Sequence, residues 1–343
     1  MGLFDGILED MPKNIAIFID GSDDTFTSGA KNNSNVGLLY EACVNDPRQF
    51  KFYSDGPGIG GHILASAVGT GVNVRVQRGY DWCVENYEDG DQIFLFGFSR
   101  GAFAARSVAG MLRAVGLLRK DAKATKDDAF AAYEKAKDDP ASAAAFKAAN
   151  SREVKIHFIG VWDTVGSVAV PLALTLNSIP LAPFHDVEFG PHIENAFHAV
   201  SIDEERWDFQ PTYFNPQLVQ PGQTVEQVFF PGVHSDIGGG YDDDPSLSKI
   251  TLAWIANAAK EKGLLIADES VLQYPDDAAY GTLHDSFSAL YDFRSRFFRP
   301  IDFNARVHVA AKKRLDDTAN ACKPGAYKPR NLDKTNTGYD WVT

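Results

Sequence analysis

The chain has 343 residues, of which 44% are hydrophobic and 23% charged, a composition that predicts a globular protein and excludes a disordered or fibrous one. Its 46 acidic and 33 basic residues leave a formal charge of -13, which repels phosphate backbones, so we expect no nucleic-acid partner. Three scattered cysteines exclude a disulfide framework and a cysteine-based structural zinc site.

We recognise no targeting signal in the first residues of the sequence. Met1 to Gly6 lack the basic region and the apolar run of a signal peptide. No window approaches the roughly 18 apolar residues of a membrane span. The sequence therefore predicts a cytoplasmic protein as synthesised, and export without a cleaved signal peptide stays compatible with it.

Short apolar runs alternate with helical patterns in the N-terminal half, which is typical of a parallel sheet covered by helices on both faces. The first predicted strand, Asn14 to Ile19, ends in the loop Asp20 to Ser22. A helix from Asn35 to Cys43, a strand from Gln49 to Ser54 and a helix from Val74 to Asn86 follow. These elements predict an α/β fold with a mostly parallel central sheet.

The most apolar strand, Gln92 to Phe96, runs directly into Gly97-Phe98-Ser99-Arg100-Gly101 and then into a helix of small residues, Ala102 to Leu118. Gly-x-Ser-x-Gly between a strand and a helix is the nucleophile-elbow pattern, in which glycines allow the turn to pack closely. The pattern predicts Ser99 as the nucleophile of a serine hydrolase. The alternative is a tight turn with a structural serine.

The composition changes to alanine, lysine and aspartate between Lys120 and Asn150, where Pro140 separates two helical patterns. We interpret the region at about 120–150 as a helical insertion over or beside the core of a single domain, 1–343. The sequence leaves open whether this insertion acts as a lid.

Three later strands each end close to a polar residue that a serine hydrolase needs. Val154 to Val161 precedes Asp163, Asn195 to Ile202 precedes Asp203, and Val225 to Phe230 precedes His234. In an α/β-hydrolase the acid and the base follow the serine in the order Asp or Glu, then His. We predict His234, in a glycine-rich loop, as the base and Asp163 as the acid that orients it. Asp203 and Asp236 stay open as acids, and a turn cap is the alternative role for His234.

The oxyanion of such a hydrolase would be held by two backbone amides. The sequence predicts those of Arg100, directly after the nucleophile, and of Gly21, in the loop that ends the first strand. Gly58 to Gly61 is too irregular for a dinucleotide fingerprint. Asp242 to Asp244 could ligate calcium, but an acidic run is usually a solvated loop. We therefore expect no cofactor and no metal.

Five ordered segments resemble those of a family of uncharacterised α/β-hydrolase domains whose best-known members are the first class of type VI secretion lipase effectors. The segments are Phe18 to Ser22, Gly90 to Ala102, Gly160 to Gly166, Ala199 to Glu204 and Phe230 to Tyr241. The resemblance implies an α/β-hydrolase fold and a phospholipase A activity, with Ser99, Asp163 and His234 on the triad positions. The expected partner is thus a phospholipid substrate, and we expect the protein to bind a membrane surface transiently. An esterase or thioesterase acting on a soluble substrate is the alternative within the class.

Two functions of other classes stay open as well. A non-catalytic binding module, or a toxin-antitoxin partner, would keep the elbow for structural reasons and would not react with a fluorophosphonate. A metal-dependent phosphodiesterase using Asp236 and Asp242 to Asp244 would lose activity to chelators and keep it in Ser99→Ala. The sequence does not reveal the oligomeric state.

Overall fold

The structure is a computed structural model that describes a large part of the chain. The described ranges are 12–21, 26–30, 32–56, 65–168, 179–180, 186–287, 296–319, 321–333 and 337–343, with the backbone alone for 65–70, 167–168 and 179–180. Three segments that entered the sequence predictions, Met1 to Gly6, Ser22 and Gly58 to Gly61, lie outside these residues.

The strands of the described residues include all six that the apolar runs predict, with ends that differ by at most two residues. In chain order they are β1 (Asn14–Ile19), β2 (Gln49–Ser54), β3 (Gln92–Phe98), β4 (Leu117–Leu118), β5 (Ser151–Arg152), β6 (Ile156–Trp162), β7 (Ser167–Val168), β8 (Ile179–Pro180), β9 (Ile193–Ser201), β10 (Thr224–Phe230), β11 (Arg306–His308) and β12 (Asp340–Val342).

The α-helices of the described residues lie between β1 and β5 and after β10. They are α1 (Asn35–Ala42), α2 (Ala65–Asn86), α3 (Arg100–Val115), α4 (Lys126–Lys135), α5 (Pro140–Asn150), α6 (His234–Gly238), α7 (Ser246–Glu261) and α8 (Val309–Leu315). None of the helices in the described part of the chain is both long and apolar enough to cross a membrane.

One eight-stranded sheet, in the order β12-β11-β10-β9-β6-β3-β1-β2, dominates the described residues. All its strand pairs are parallel, so the carboxyl ends of the strands meet at one edge. The register aligns Phe98 of β3 with Trp162 of β6, and Trp162 with Ala199 of β9. The predicted α/β-hydrolase fold with a mostly parallel sheet is confirmed. Polar residues that follow these strands lie together at the edge where the carboxyl ends of the strands meet.

Both faces of the sheet are buried, which explains why its strands are continuously apolar rather than alternating. In β1 the side chains of Ile15, Ile17 and Ile19 pack into one core, on the side of α2 and α3. Ala16 and Phe18 pack into a second core on the opposite face, beside α1 and α7. The helices therefore cover the sheet on both sides, as the sequence predicts.

The C-terminal region adds two short strands and a third core to the sheet. Val307 of β11 packs there with Phe229 of β10 and with Tyr327 and Tyr339 from the tail. No periodicity is visible in the sequence of this tail. Strands of three residues, β11 and β12, are too short to produce one.

The helical insertion packs against the C-terminal part of α3. Phe130 and Tyr133 of α4 are buried in the core that includes α3, and the Lys147 Nζ of α5 donates to the carbonyl of Arg113 at 3.2 Å. Arg113 lies 13 residues after the start of α3, which is about 20 Å along a helix. The insertion therefore contacts the end of α3 that is remote from Ser99.

Candidate active site

The turn between β3 and α3 places Ser99 in a strained conformation, with φ 57° and ψ -124°. Its two flanking glycines are required by close backbone contacts. A Cβ on Gly97 would lie 2.5 Å from the carbonyl oxygen of Gly101, and a Cβ on Gly101 would lie 2.2 Å from those of Ile19 and Asp20. The Gly-x-Ser-x-Gly sequence thus follows from packing of the turn against itself and against the end of β1.

The structure joins Ser99, His234 and Asp163 in one chain of hydrogen bonds. The Ser99 Oγ lies 2.7 Å from the His234 Nε2, and the His234 Nδ1 lies 2.5 Å from an Asp163 carboxylate oxygen. All three residues are buried. With Asp163 ionised, Nδ1 donates to the carboxylate and Nε2 is left to accept the serine proton.

The parallel sheet explains why three distant residues meet. The Ser99 amide donates to the Trp162 carbonyl at 3.0 Å, and the Asp163 amide donates to the Ala199 carbonyl at 2.8 Å. Ser99 and Asp163 therefore continue the ladders of β3 and β6 by one residue. His234 follows β10, but it begins the short helix α6 and does not lie in the loop that the sequence predicts. The glycines after it end a helix of five residues, which is too short to show a period.

Asp163 is also held by Arg299, a residue that the sequence analysis missed. The two Nη atoms of Arg299 donate to the two carboxylate oxygens at 2.6 and 2.9 Å, and the Ser201 amide donates to one of them at 3.0 Å. Arg299 is 0% exposed. Its one sequence signal is a charged residue within the aromatic run Phe297 to Pro300, and that run does not point to a partner 136 residues away.

A second ion pair, between the buried Glu204 and the partly buried Arg206, lies beside His234. One Glu204 oxygen accepts from the His234 amide at 3.2 Å, and the carboxylate pairs with the Arg206 guanidinium through two bonds of 2.8 Å. The rings of Phe98 and Phe209 lie 4.7 and 4.9 Å from the imidazole, centroid to centroid. The imidazole therefore sits among aromatic rings, with water largely excluded.

These surroundings set the charges of Asp163 and His234, the two ionisable groups in this series of hydrogen bonds. Burial by itself raises the pKa of Asp163, but the Arg299 charge and the His234 bond outweigh it and hold that pKa below its usual range. Burial lowers the pKa of His234 despite the opposing effect of Asp163. The resting site thus has an ionised Asp163 and a neutral His234 at neutral pH.

The two alternative acids have other partners. Asp203 accepts from the Gly232 amide at 2.7 Å and from the Tyr327 hydroxyl at 3.0 Å, and burial raises its pKa to about 7. Asp236 lies 2.5 Å from the His284 Nδ1 and caps the first turn of α6. In the structure the ring of His234 is bonded to Asp163 rather than to either of them.

The acidic run Asp242 to Asp244 braces the fold locally. Asp243 lies 3.0 Å from the His284 Nε2, while Asp244 accepts from the amides of Ser246 and Thr282. Across the ranges that the structure covers, no group of three or more histidine, cysteine or acidic residues could hold a metal ion. Asp243 and Asp244 thus act as acceptors for a neighbouring side chain and for neighbouring amides.

The two amides predicted for the oxyanion have different surroundings. Arg100 is the first residue of α3, so its amide lies at the positive end of the helix dipole, next to Ser99. The Gly21 amide donates to the carboxylate of Asp20 at 2.7 Å. The other oxygen of that carboxylate accepts from Ser34 and Tyr53, both at 2.6 Å. In this conformation the Gly21 amide has a partner within its own loop.

Comparison with known proteins identifies one family and one curated relative. The family described as "T6SS, Phospholipase effector Tle1-like, catalytic domain" matches residues 13–258. "Uncharacterized protein YEL023C" of Saccharomyces cerevisiae is 32% identical in an alignment of 239 residues that covers 61% of this chain and 34% of the relative. The chain thus spans about a third of the length of that relative.

The solved structures that match the chain share little sequence with it. An uncharacterised protein from Pseudomonas aeruginosa is 16% identical with a TM-score of 0.49, over 80% of this chain and 49% of that one. The Tle1 effector bound to the VgrG spike of the type 6 secretion system is 18% identical with a TM-score of 0.42, over 68% and 52%. Est1E from Butyrivibrio proteoclasticus is 11% identical with a TM-score of 0.35, over 74% and 89%.

Proposed function

Because the chain belongs to the family of T6SS Tle1-like phospholipase effector catalytic domains, we propose that it is a serine hydrolase that cleaves glycerophospholipid esters through an acyl-enzyme on Ser99. The matched family is described as a catalytic domain of phospholipase effectors. The observation that supports this mechanism most strongly is the chain of hydrogen bonds from Ser99 through His234 to Asp163. It combines a strained nucleophile, a neutral base and an ionised acid in the geometry of nucleophilic catalysis.

In the proposed reaction the His234 Nε2 takes the proton of Ser99 as the Oγ attacks the ester carbonyl. Asp163 stabilises the imidazolium that forms and does not itself take the proton. The imidazolium then protonates the departing alcohol oxygen, which leaves the acyl group on Ser99. A water molecule, deprotonated by the same Nε2, attacks the acyl-enzyme. The bond between the acyl carbon and the Ser99 Oγ then breaks, the imidazolium returns its proton to the Oγ, and the fatty acid is released.

The negative oxygen of the tetrahedral intermediate would be stabilised by the amides of Arg100 and Gly21. The position of Arg100 at the start of α3 supports the first assignment. For the second, the Gly21 amide would have to turn from the Asp20 carboxylate towards the substrate. One such donor is worth about 3 kcal/mol of transition-state stabilisation.

A glycerophospholipid is the proposed substrate because the matched family is described as phospholipase effectors. We propose transient contact with a lipid surface, where such a substrate is found. A small soluble ester is the alternative substrate, which the same serine mechanism would cleave.

The test measures fatty acid released from phosphatidylcholine and phosphatidylglycerol vesicles, in parallel with hydrolysis of short-chain soluble esters. We expect the wild type to release fatty acid and Ser99→Ala to release none. Activity confined to soluble esters would contradict the phospholipid substrate and keep the serine mechanism.

A fluorophosphonate probe tests the nucleophile separately. We expect it to label the wild type and to leave Ser99→Ala and His234→Ala unlabelled. Ser107→Ala is a matched control, because Ser107 is a buried serine on α3 whose hydroxyl donates to the Phe103 carbonyl at 2.8 Å. A wild type that neither reacts with the probe nor cleaves either substrate would point to a non-catalytic binding module.

A further inference from the structure

Arg299 comes from a part of the chain that the family match does not include. The match ends at residue 258, whereas Arg299 lies 41 residues further on. Its guanidinium nevertheless reaches the centre of the candidate site and binds both oxygens of Asp163. The C-terminal segment thus contributes a charged group to a site that the matched region otherwise supplies.

The guanidinium is fixed in place by bonds on more than one side. Besides the carboxylate, one Nη donates to the Ser201 carbonyl at 3.0 Å and the other to the Phe209 carbonyl at 2.6 Å. A planar fork held in this way fixes the plane of the carboxylate that it binds, which a lysine ammonium cannot do. The oxygen of Asp163 that faces His234 is therefore held in one orientation.

We propose that Arg299 is a positioning residue for the base: it fixes the Asp163 carboxylate so that Asp163 holds the His234 ring towards Ser99. This inference rests on the serine-hydrolase function proposed above. Arg299 has no exposed surface, so it acts through Asp163 and not by contact with the substrate. Its loss should therefore lower kcat and leave KM nearly unchanged.

The charge of Arg299 also bears on the pH at which the base becomes protonated. The charged groups bonded to His234 or to its partners are the carboxylates of Asp163 and Glu204 and the guanidiniums of Arg299 and Arg206, so these four charges cancel. Asp236, on the same helix, has its own partner in His284. Removing Arg299 leaves one uncompensated negative charge beside the imidazole, which favours the imidazolium. The acid limb of the pH profile should then move to higher pH.

Two further titratable side chains near this cluster stay uncharged at neutral pH. Burial lowers the pKa of His198 to about 3, and its Nε2 accepts from the Thr164 amide at 3.1 Å. Burial raises the pKa of Tyr213 to about 12. Neither group can replace the positive charge that is lost when Arg299 is removed.

The experiment compares Arg299→Met, Arg299→Lys and the wild type on a soluble ester, with rates divided by the amount of fluorophosphonate-labelled Ser99. For Arg299→Met we expect kcat to fall on the order of 100-fold, with the acid limb about one pH unit higher. For Arg299→Lys we expect a smaller loss of kcat and an unchanged acid limb, because the charge remains. Arg314→Met is the matched control, since Arg314 is equally buried but donates to the carbonyls of Ala279, Gly281 and Lys323.

The outcomes separate positioning from folding. A merely structural role would reduce the labelled fraction in Arg299→Met and leave kcat and the acid limb of that fraction at wild-type values, which overturns the proposal. An acid limb shifted equally by Arg314→Met overturns it too. If Arg299→Met does not fold, Arg299→Lys is the deciding variant. A kcat of Arg299→Lys equal to that of the wild type then overturns the proposal. A wild type that is neither labelled nor active refutes the proposed function instead.

Discussion

The described non-glycine residues with positive φ are Ser99, at 57°, and Asp163, at 40°, and both belong to the candidate site. Such a conformation costs about 1 to 3 kcal/mol at each residue and persists where the surroundings enforce it. At Ser99 the enforcing contacts are those of Gly97 and Gly101. At Asp163 they are the bonds to Arg299, Ser201 and His234.

Gly101→Ala tests the packing of the elbow. The added Cβ would lie 2.2 Å from two backbone oxygens of β1 and its loop, which cannot rotate away as a side chain can. We expect the free energy of unfolding to fall by about 2 to 3 kcal/mol, measured by urea denaturation, together with a loss of Ser99 labelling. Gly325→Ala is the control, because its Cβ would meet nothing within 4 Å. Equal stabilities of the two variants would contradict the packing argument.

The pH dependence of kcat/KM tests the charges assigned to the site. His234 has to be neutral to accept the serine proton, and burial holds its pKa below the ordinary value of 6.5. We therefore expect activity to persist as the pH falls through 6.5 and to decline at a lower pH. The pH-rate profile of the free enzyme on a soluble ester measures this. A half-maximal point at or above pH 6.5 would contradict the buried, neutral base.

Sequence reasoning reached Ser99, Asp163 and His234 because each follows an apolar strand, and parallel strands end at one edge. Their catalytic roles stay predictions, but their proximity follows from the topology. Arg299 could not be found in this way. A buried ion pair between two loops far apart in the chain has no spacing rule, and the contact exists because the tail folds back over the ends of β6 and β9.

At the scale of elements, the long strands were predictable because each is a continuous apolar run, and the helices between them because their period is visible over several turns. The predicted bounds of β1 and β2 agree with the structure, and α2 begins earlier than Val74. The helix α7 and the strands of the tail were missed. The insertion was predicted because proline and alanine mark its helices, but its place on α3 depends on tertiary packing.

Phe130→Ala tests whether the insertion serves stability or access to the site. Phe130 is 6% exposed and packs against Tyr133 in the core shared with α3. We expect the variant to lose about 3 kcal/mol of unfolding free energy and to keep the wild-type kcat per labelled Ser99. Phe303→Ala is the control, since Phe303 is 68% exposed. Faster labelling or higher vesicle activity in Phe130→Ala would instead indicate that the insertion restricts access as a lid.

At the scale of the whole molecule, the sheet extends beyond the matched region. Residues 13–258 contain β1 to β10 and α1 to α6, with most of α7, whereas β11, β12 and Arg299 follow. The prediction that the chain forms a single domain implies that the two parts fold together. The third core supports it, because Val200 and Phe229 from the matched region pack there with Val307 and Tyr339 from the tail.

A chain ended at residue 258 tests this dependence. Loss of the tail would expose Val200 and Phe229 and leave β10 as an unpaired edge strand. Asp163 would lose the guanidinium that compensates its buried charge. We therefore expect the truncated chain to aggregate and not to react with a fluorophosphonate, whereas the full chain is labelled. Gel filtration and probe labelling measure the two effects. A monodisperse truncated chain that is labelled at the wild-type rate would show that the matched region is sufficient, and that the tail contributes neither the fold nor the orientation of the base.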